Sequence, residues 1–227
     1  MAAWRLTAQT TVTVPADANI YGAGSTSAPG PAGGGEGVLA TEYVVTTGTQ
    51  SLVFNPVTGS VSFNASAGPF NGADGGTGFG AFTQLSSYNN LSGITYAGRT
   101  AFLAGVFLDG STPSGTAPAT LSYTDTSAGL SSFSPSLQQV FFVGNGLDSS
   151  GNSQTFTVPT NATRLFLGFA DSWNGSSVTG LPGFYGDNGG SLSVTISAFA
   201  VPEPSVMWLL GLGLAGFLIV RPRKRKS

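Results

Sequence analysis

Two carboxylates and one amide in the C-terminal part of the chain have the residue types of a hard-cation site. Asp171 ends an apolar stretch, and Asp187 and Asn188 are adjacent in a glycine-rich turn. Carboxylate, amide and backbone carbonyl oxygens are the ligands of Ca2+, which takes about six to eight of them. Glycines at 186, 189 and 190 would let the turn bend tightly around an ion. The same letters also fit an ordinary hairpin turn, so spacing alone leaves both interpretations open.

Residues 158–196 resemble part of the PA-I galactophilic lectin family. There an aspartate is followed, after a short loop, by Tyr-Gly-Asn-Asn-Ser-Gly-Ser; here Asp171 is followed by Tyr185-Gly186-Asp187-Asn188-Gly189-Gly190-Ser191. The resemblance implies a jelly-roll β-sandwich in which Ca2+ bridges the protein and galactose hydroxyls. It implies side-chain ligands at Asp171, Asp187 and Asn188, and backbone carbonyl ligands at Phe184 and Tyr21.

The match departs from the lectin pattern in two ways. Residues 172–184 form a much longer loop between Asp171 and Tyr185 than the family has, and the chain has no histidine for the family's additional sugar contact. The resemblance therefore implies metal binding more strongly than galactose specificity. The alternative is a structural or adhesive matrix protein in which a Ca2+ site is absent or only stabilises the fold.

Aromatic and amide side chains near the same loop are candidates for contact with a sugar. Trp173 and Asn174 follow Asp171 closely, and Tyr185 precedes Asp187. Aromatic faces beside oxygen ligands suit the C–H faces and hydroxyls of a pyranose. Trp173 could equally cap the open end of a sandwich.

The composition disfavours catalysis and nucleic-acid binding. Without histidine or cysteine, the chain has no Ser-His-Asp or Cys-His centre and no His-bound zinc. The two glutamates of the body, Glu36 and Glu42, are poor candidates for a glycosidase pair. Up to residue 200 there are three basic and nine acidic residues, so no phosphate-binding cluster exists. We expect a non-catalytic protein with no nucleic-acid partner.

The body is expected to be all-β, because it is rich in glycine and poor in helix formers. The stretch 102–108 is almost wholly apolar, which predicts a central strand covered on both faces. Residues 24–37 are predicted to be a Gly-Pro-rich loop, and residues 68–80 a surface loop. We predict one antiparallel β-sandwich of the jelly-roll or galactose-binding kind over residues 1–200, with strands at 10–14, 43–46, 51–54, 61–65, 102–108, 136–143, 154–159, 164–169 and 191–196.

Three consecutive parts form the tail, residues 201–227. The motif Val201-Pro202-Glu203-Pro204 precedes an uncharged stretch, 205–220, and a basic end, 221–227, which holds five of the chain's eight basic residues. Basic residues stay in the cytoplasm, so residues 1–200 are predicted to be exported. The stretch 205–220 is a predicted membrane helix about 24 Å long. A permanent membrane helix needs about 20 residues, or about 30 Å, so this one is short. A temporary tether is therefore expected.

This tail resembles the PEP-CTERM sorting signal, which exosortase-type membrane proteases process in Gram-negative bacteria that secrete exopolysaccharide. The alternative is an ordinary C-terminal anchor. The resemblance implies transient attachment to the inner membrane, processing near residue 204, and release to the cell surface or extracellular matrix, where polysaccharide is the expected partner. The residues that carry the signal are Pro202, Glu203, Pro204, Arg221, Arg223 and Arg225. Residues 1–7 lack the apolar stretch of an export signal, which suggests a truncated or misassigned start.

Overall fold

The computed structural model describes residues 5–78, 82–172 and 178–200, and the regular secondary structure of these residues is mostly β-strand. Within these ranges, helix is limited to α1 (Asp125–Ala128) and two 3-10 turns, Ile20–Gly22 and Tyr185–Asp187. The strands are β1 Arg5–Pro15, β2 Ala18–Asn19, β3 Val38–Leu39, β4 Thr41–Val44, β5 Ser51–Ser62, β6 Phe82–Leu85, β7 Ile94–Ala97, β8 Ala104–Leu108, β9 Leu121–Tyr123, β10 Ser132–Phe133, β11 Val140–Phe142, β12 Thr155–Thr157, β13 Arg164–Gly168, β14 Val178–Gly180 and β15 Gly189–Ala200. The all-β prediction is confirmed.

The strands form three main sheets. The first sheet has the order β1-β15-β5-β12-β10, the middle sheet β11-β8-β13-β4 and the third sheet β14-β6-β7-β9, while β2 and β3 form a small separate pair. The long pairs are antiparallel, as in β1–β15 and β15–β5. Four short pairs are parallel: β10–β12, β6–β14, β7–β9 and β2–β3.

Strands β8, β11 and β13 of the middle sheet are buried on both faces, whereas the edge strand β4 is partly exposed. Phe107 and Phe141 stack with ring centroids 5.4 Å apart in the core shared with the first sheet. Phe142 faces the other way and meets Tyr96 of the third sheet edge-on at 5.4 Å. Successive strand residues point to opposite faces, so a strand covered on both sides must be apolar throughout. Strand β8 is fully buried, which confirms the doubly covered strand predicted within 102–108.

The third sheet and the parallel pairs go beyond the predicted antiparallel sandwich. Two layers would leave one face of the middle sheet in water, whereas here Val106 and Phe166 on that face are buried by the third sheet. The described residues include no helix long and apolar enough to span a membrane. The predicted membrane helix, 205–220, and the rest of the tail lie outside them.

Candidate cation site at Asp171

Asp171 follows β13, and the N-terminal segment around Asn19 holds the end of that strand in place. The Phe169 amide donates to the Ala18 carbonyl at 2.7 Å, and the Ile20 amide donates to the Phe169 carbonyl at 3.1 Å. A parallel bridge joins Asn19 to Phe169. The two halves of the chain predicted to contribute to the site are thus neighbours.

Tyr185 links Asp171 to the turn that carries Asp187 and Asn188. Its hydroxyl accepts a hydrogen bond from the Asp171 amide at 3.0 Å and donates one to the Phe169 carbonyl at 2.8 Å. The side chain is 1% exposed, and burial raises the pKa of the hydroxyl well above its ordinary value. Tyr185 was predicted to contact sugar, but its ring is buried and its hydroxyl is already hydrogen-bonded, so its role here is structural.

The Asp171 carboxyl is buried with incomplete hydrogen bonding. The residue is 4% exposed, and its Oδ2 has no hydrogen-bond partner among the described residues. Burial raises the pKa of this carboxyl well above its ordinary value; hydrogen bonds from Asn188 and the Ser172 amide oppose that rise, and the nearby negative charge of Asp187 adds to it. Such a group needs a proton or a cation to be stable in the folded protein.

Asn188 completes the polar cluster. Its side chain hydrogen-bonds to Asp171, and its Nδ2 also donates to the Ala16 carbonyl at 3.1 Å. Its Oδ1 is buried and has no partner in the described part of the chain. The two ends of an amide are assigned from such networks. Rotation by 180° would place Oδ1 where Nδ2 stands, facing the oxygens of Asp171 and Ala16.

A glycine-rich loop, Pro29 to Gly37, packs over the turn, and we call it the glycine strap. Three successive amides, those of Phe184, Tyr185 and Gly186, donate to strap carbonyls of residues 33, 35 and 34 at 2.8, 3.2 and 3.1 Å. A Cβ at position 34 would lie 2.2 Å from the Phe184 ring. The sequence predicted only a Gly-Pro-rich loop here, because nothing local in such a stretch indicates what it packs against.

Asn19 ties down both ends of the strap, and sequence reasoning missed it as a site residue. Asn19 is fully buried; its Nδ2 donates to the carbonyls of Pro29 at 2.6 Å and Glu36 at 3.1 Å, and its Oδ1 accepts from the Tyr21 amide at 3.0 Å. A polar residue inside an otherwise buried apolar segment, 18–23, was the available signal.

The remaining predicted ligands are placed less favourably. Asp187 is exposed, although it is close enough to raise the pKa of Asp171. Phe184 is half-buried and has left-handed backbone at φ 65°. The Tyr21 carbonyl accepts from Asn89 Nδ2 at 3.1 Å, so it already has a partner outside the cluster. The predicted sugar contacts Trp173 and Asn174, and the sorting residues Pro202, Glu203, Pro204, Arg221, Arg223 and Arg225, lie outside the described residues.

The candidate ligands are mostly neutral oxygens. In the described ranges, no three His, Cys, Asp or Glu side chains lie close enough to hold a metal ion. A cation at Asp171 would therefore be bound by its carboxylate, the Asn188 amide oxygen, backbone carbonyls and water, with Asp187 at the exposed side. That set suits Ca2+, which accepts carbonyl and water ligands readily.

A second polar cavity, of about 200 Å³, lies beside α1. Its Asp125 accepts hydrogen bonds from Arg99 Nε at 3.0 Å and from the Tyr96 hydroxyl at 2.9 Å, which lower the pKa of Asp125. This carboxylate is exposed and paired, whereas Asp171 is buried with an unpartnered oxygen. Of these two carboxylates, that of Asp171 is the one with a buried, unpartnered oxygen of the kind expected at a cation site.

Comparison with known proteins identifies the tail. Residues 200–224 match the PEP-CTERM protein-sorting motif. The protein is therefore an exported protein, made as a membrane-anchored precursor, processed by the membrane enzyme exosortase and sorted to the cell surface. The prediction of a PEP-CTERM sorting signal in the tail is confirmed, while processing near residue 204 stays a prediction. No curated protein and no solved structure is significantly similar to the chain, so the lectin resemblance of residues 158–196 has no support from them.

Proposed function

We propose that this exported surface protein binds Ca2+ at the Asp171 cluster and, through that ion, hydroxyl groups of extracellular polysaccharide, without catalysing a reaction. The observation that supports the proposal is the buried Oδ2 of Asp171, which has no hydrogen-bond partner among the described residues, in the same cluster as Asn188, whose Oδ1 is also buried and unpartnered and would face Asp171 after rotation of the amide. Two unpartnered buried oxygens in one cluster destabilise a folded protein unless a cation or a hydrogen-bond donor meets them.

The charge balance favours a cation over a buried water molecule. A water molecule could satisfy the unpartnered oxygens, but it would leave the cost of a buried negative charge in place. The Asp187 carboxylate increases that cost, since its charge raises the pKa of Asp171. A divalent ion offsets both charges, which is why we prefer Ca2+ to water.

The surrounding contacts support a preformed site. Tyr185 fixes the backbone at Asp171, and the glycine strap fixes three amides of the turn. A cation would therefore meet ligands that are already ordered, and little conformational entropy would be lost on binding. The exposed Asp187 lies at the side where solvent, or a sugar hydroxyl, can reach the ion.

The sugar part of the proposal depends on the metal part. Vicinal hydroxyls would replace water on the ion, while Trp173 covers an apolar face of the ring. The runner-up is a structural role, in which the ion stabilises the turn and no sugar binds. The two differ in a single substitution: Trp173→Ala should abolish glycan binding yet keep the Ca2+ effect on stability, whereas in the structural role no glycan binds in either form.

Calorimetry with Ca2+, followed by glycan-array binding with and without chelator, tests the proposal. Asp171→Asn should abolish Ca2+ binding, because the neutral amide cannot offset the ion's charge. Glu42→Gln is the matched control: it removes one exposed carboxylate from β4 and should bind Ca2+ like the wild type. Wild type that takes up no Ca2+ would refute the whole proposal. Ca2+ uptake without any chelator-sensitive glycan would leave the structural role.

A further inference from the structure

The first sheet has a free edge along β1. Strand β1 pairs with β15 on one side, and no strand of the described chain pairs with its other side. The Thr41 hydroxyl donates to the Thr13 carbonyl at 3.2 Å and so covers the C-terminal end of the edge. The part from Ala8 to Val12 is left open.

The pairing of β1 with β15 shows which backbone groups point to the open side. The register is regular from Ala8 to Pro15, so alternate residues direct their N–H and C=O groups to opposite sides. The Ala16 amide points to the β15 side, where it donates to the Gly190 carbonyl, whereas the Thr13 carbonyl points to the other side, where it accepts from Thr41. In this stretch of β1, the N–H and C=O groups of even-numbered residues therefore face β15, and those of odd-numbered residues face away from it. The N–H and C=O groups of Gln9 and Thr11 therefore point to the free edge.

This edge lacks the usual protection against pairing. Sheet edges are commonly guarded by charged side chains, proline or bulges. The five strands of the first sheet contain a single charged residue, Arg5, and the bulge at Leu6/Ala8 and Pro15 lie outside the open part. Residues 8–14, Ala-Gln-Thr-Thr-Val-Thr-Val, have high β-propensity and no charge, proline or glycine.

We propose that β1 pairs antiparallel with β1 of a second copy of this chain, about a two-fold axis at Thr10. In this register Gln9 lies opposite the partner's Thr11, and each such pair exchanges two backbone hydrogen bonds. Ala8 lies opposite the partner's Val12, and in each copy both residues pack against the core. On the core side the apolar Ala8–Val12 pairs flank the exposed Thr10, which meets the partner's Thr10 at the axis, and on the solvent side polar Gln9 meets polar Thr11, so the edge is complementary to itself.

The oligomeric state of the full chain in detergent, measured by light scattering after gel filtration, tests this pairing. Thr10 is exposed, so Thr10→Lys should leave the fold intact while placing two like charges opposite each other at the axis. We expect its dimer dissociation constant to rise at least about tenfold. Thr58→Lys, an exposed position on the interior strand β5, is the matched control and should dimerise like the wild type.

Two further variants separate edge pairing from misfolding and from association through the tail. Mixing Thr10→Lys with Thr10→Glu should restore dimers, since opposite charges then meet at the axis. Thr11→Pro removes an N–H that bonds across the edge and none that bonds to β15, so it should be monomeric with its fold retained. A monomeric wild type, a Thr10→Lys variant that dimerises normally, or a mixture that stays monomeric would overturn the proposal.

Discussion

Asp171 should make the stability of the calcium-free protein depend on pH. The pKa of the Asp171 carboxyl is raised by burial, so the folded state holds the carboxyl proton more tightly than the unfolded state does. The resulting stabilisation is complete below the unfolded pKa, about 3.9, and is lost as the pH rises through the folded pKa. Within that window, the free energy of unfolding should fall by about 1.4 kcal/mol per pH unit.

Calcium should remove this loss. An ion bound only to the folded state stabilises it by about 2.7 kcal/mol at one hundred times its dissociation constant. For a chain of this size, about 2–4 °C of melting temperature corresponds to 1 kcal/mol, so we expect a rise of about 5–10 °C at neutral pH. The rise should shrink toward pH 4, where the proton competes with the ion for Asp171.

Thermal and urea unfolding from pH 4 to 8, with calcium or with chelator, measures both effects. Asp171→Asn should show neither the fall in stability with pH nor the calcium response. Asp125 and Asp148 do not contribute to this change between pH 4 and 8. Their pKa values are lowered in the folded state, so the stability that they add is present above the unfolded pKa, about 3.9, and is lost only as the pH falls below it. The same pH dependence in the variant and the wild type would refute the assignment to Asp171.

Three further predictions concern the turn, the strap and the tail. Tyr185→Phe should destabilise the fold by about 1–3 kcal/mol in urea unfolding, because the Asp171 amide and Phe169 carbonyl lose a buried partner; no change would deny Tyr185 its structural role. Gly34→Ala should weaken calcium binding by calorimetry more than Gly33→Ala, since both have positive φ but only position 34 meets Phe184; equal effects would mean that the strap does not hold the turn. Mass spectrometry of the surface form should find no residues beyond about 204, and retention of residues 221–227 would contradict processing.

The local sequence pattern was sufficient to predict where strands occur, but not which strands pair with each other. The apolar stretch 102–108 predicted a doubly covered strand because burial on both faces requires it. By contrast, 51–54 and 61–65 were predicted as separate strands, whereas β5 is continuous over Ser51–Ser62 through Pro56 and Gly59. Gly59 fits there because a Cβ would lie 2.4 Å from the Ser191 carbonyl oxygen of β15. Such a reason depends on the neighbouring strand and is invisible in a single sequence.

The candidate site divides in the same way. The types and order of Asp171 and Asn188 pointed to them, and the structure brings their side chains into hydrogen-bonding contact. The burial of Tyr185 and the roles of Asn19 and the glycine strap could not be predicted, because each depends on contacts between segments distant in sequence. The sequence around a tyrosine does not show whether its ring faces a sugar or the core.

Strand β15 connects the candidate site to the sorting tail. Asn188 immediately precedes β15, and Ala200 at its other end is the first residue of the matched motif. Twelve strand residues extend about 40 Å at 3.4 Å each, so the cluster and the start of the tail lie at opposite ends of one strand. This strand is held between β1 and β5 along its length. Processing at the tail should therefore leave the cluster unchanged, and we expect the precursor and the mature surface form to bind calcium equally well in calorimetry; a difference in affinity would mean that the tail reaches the cluster.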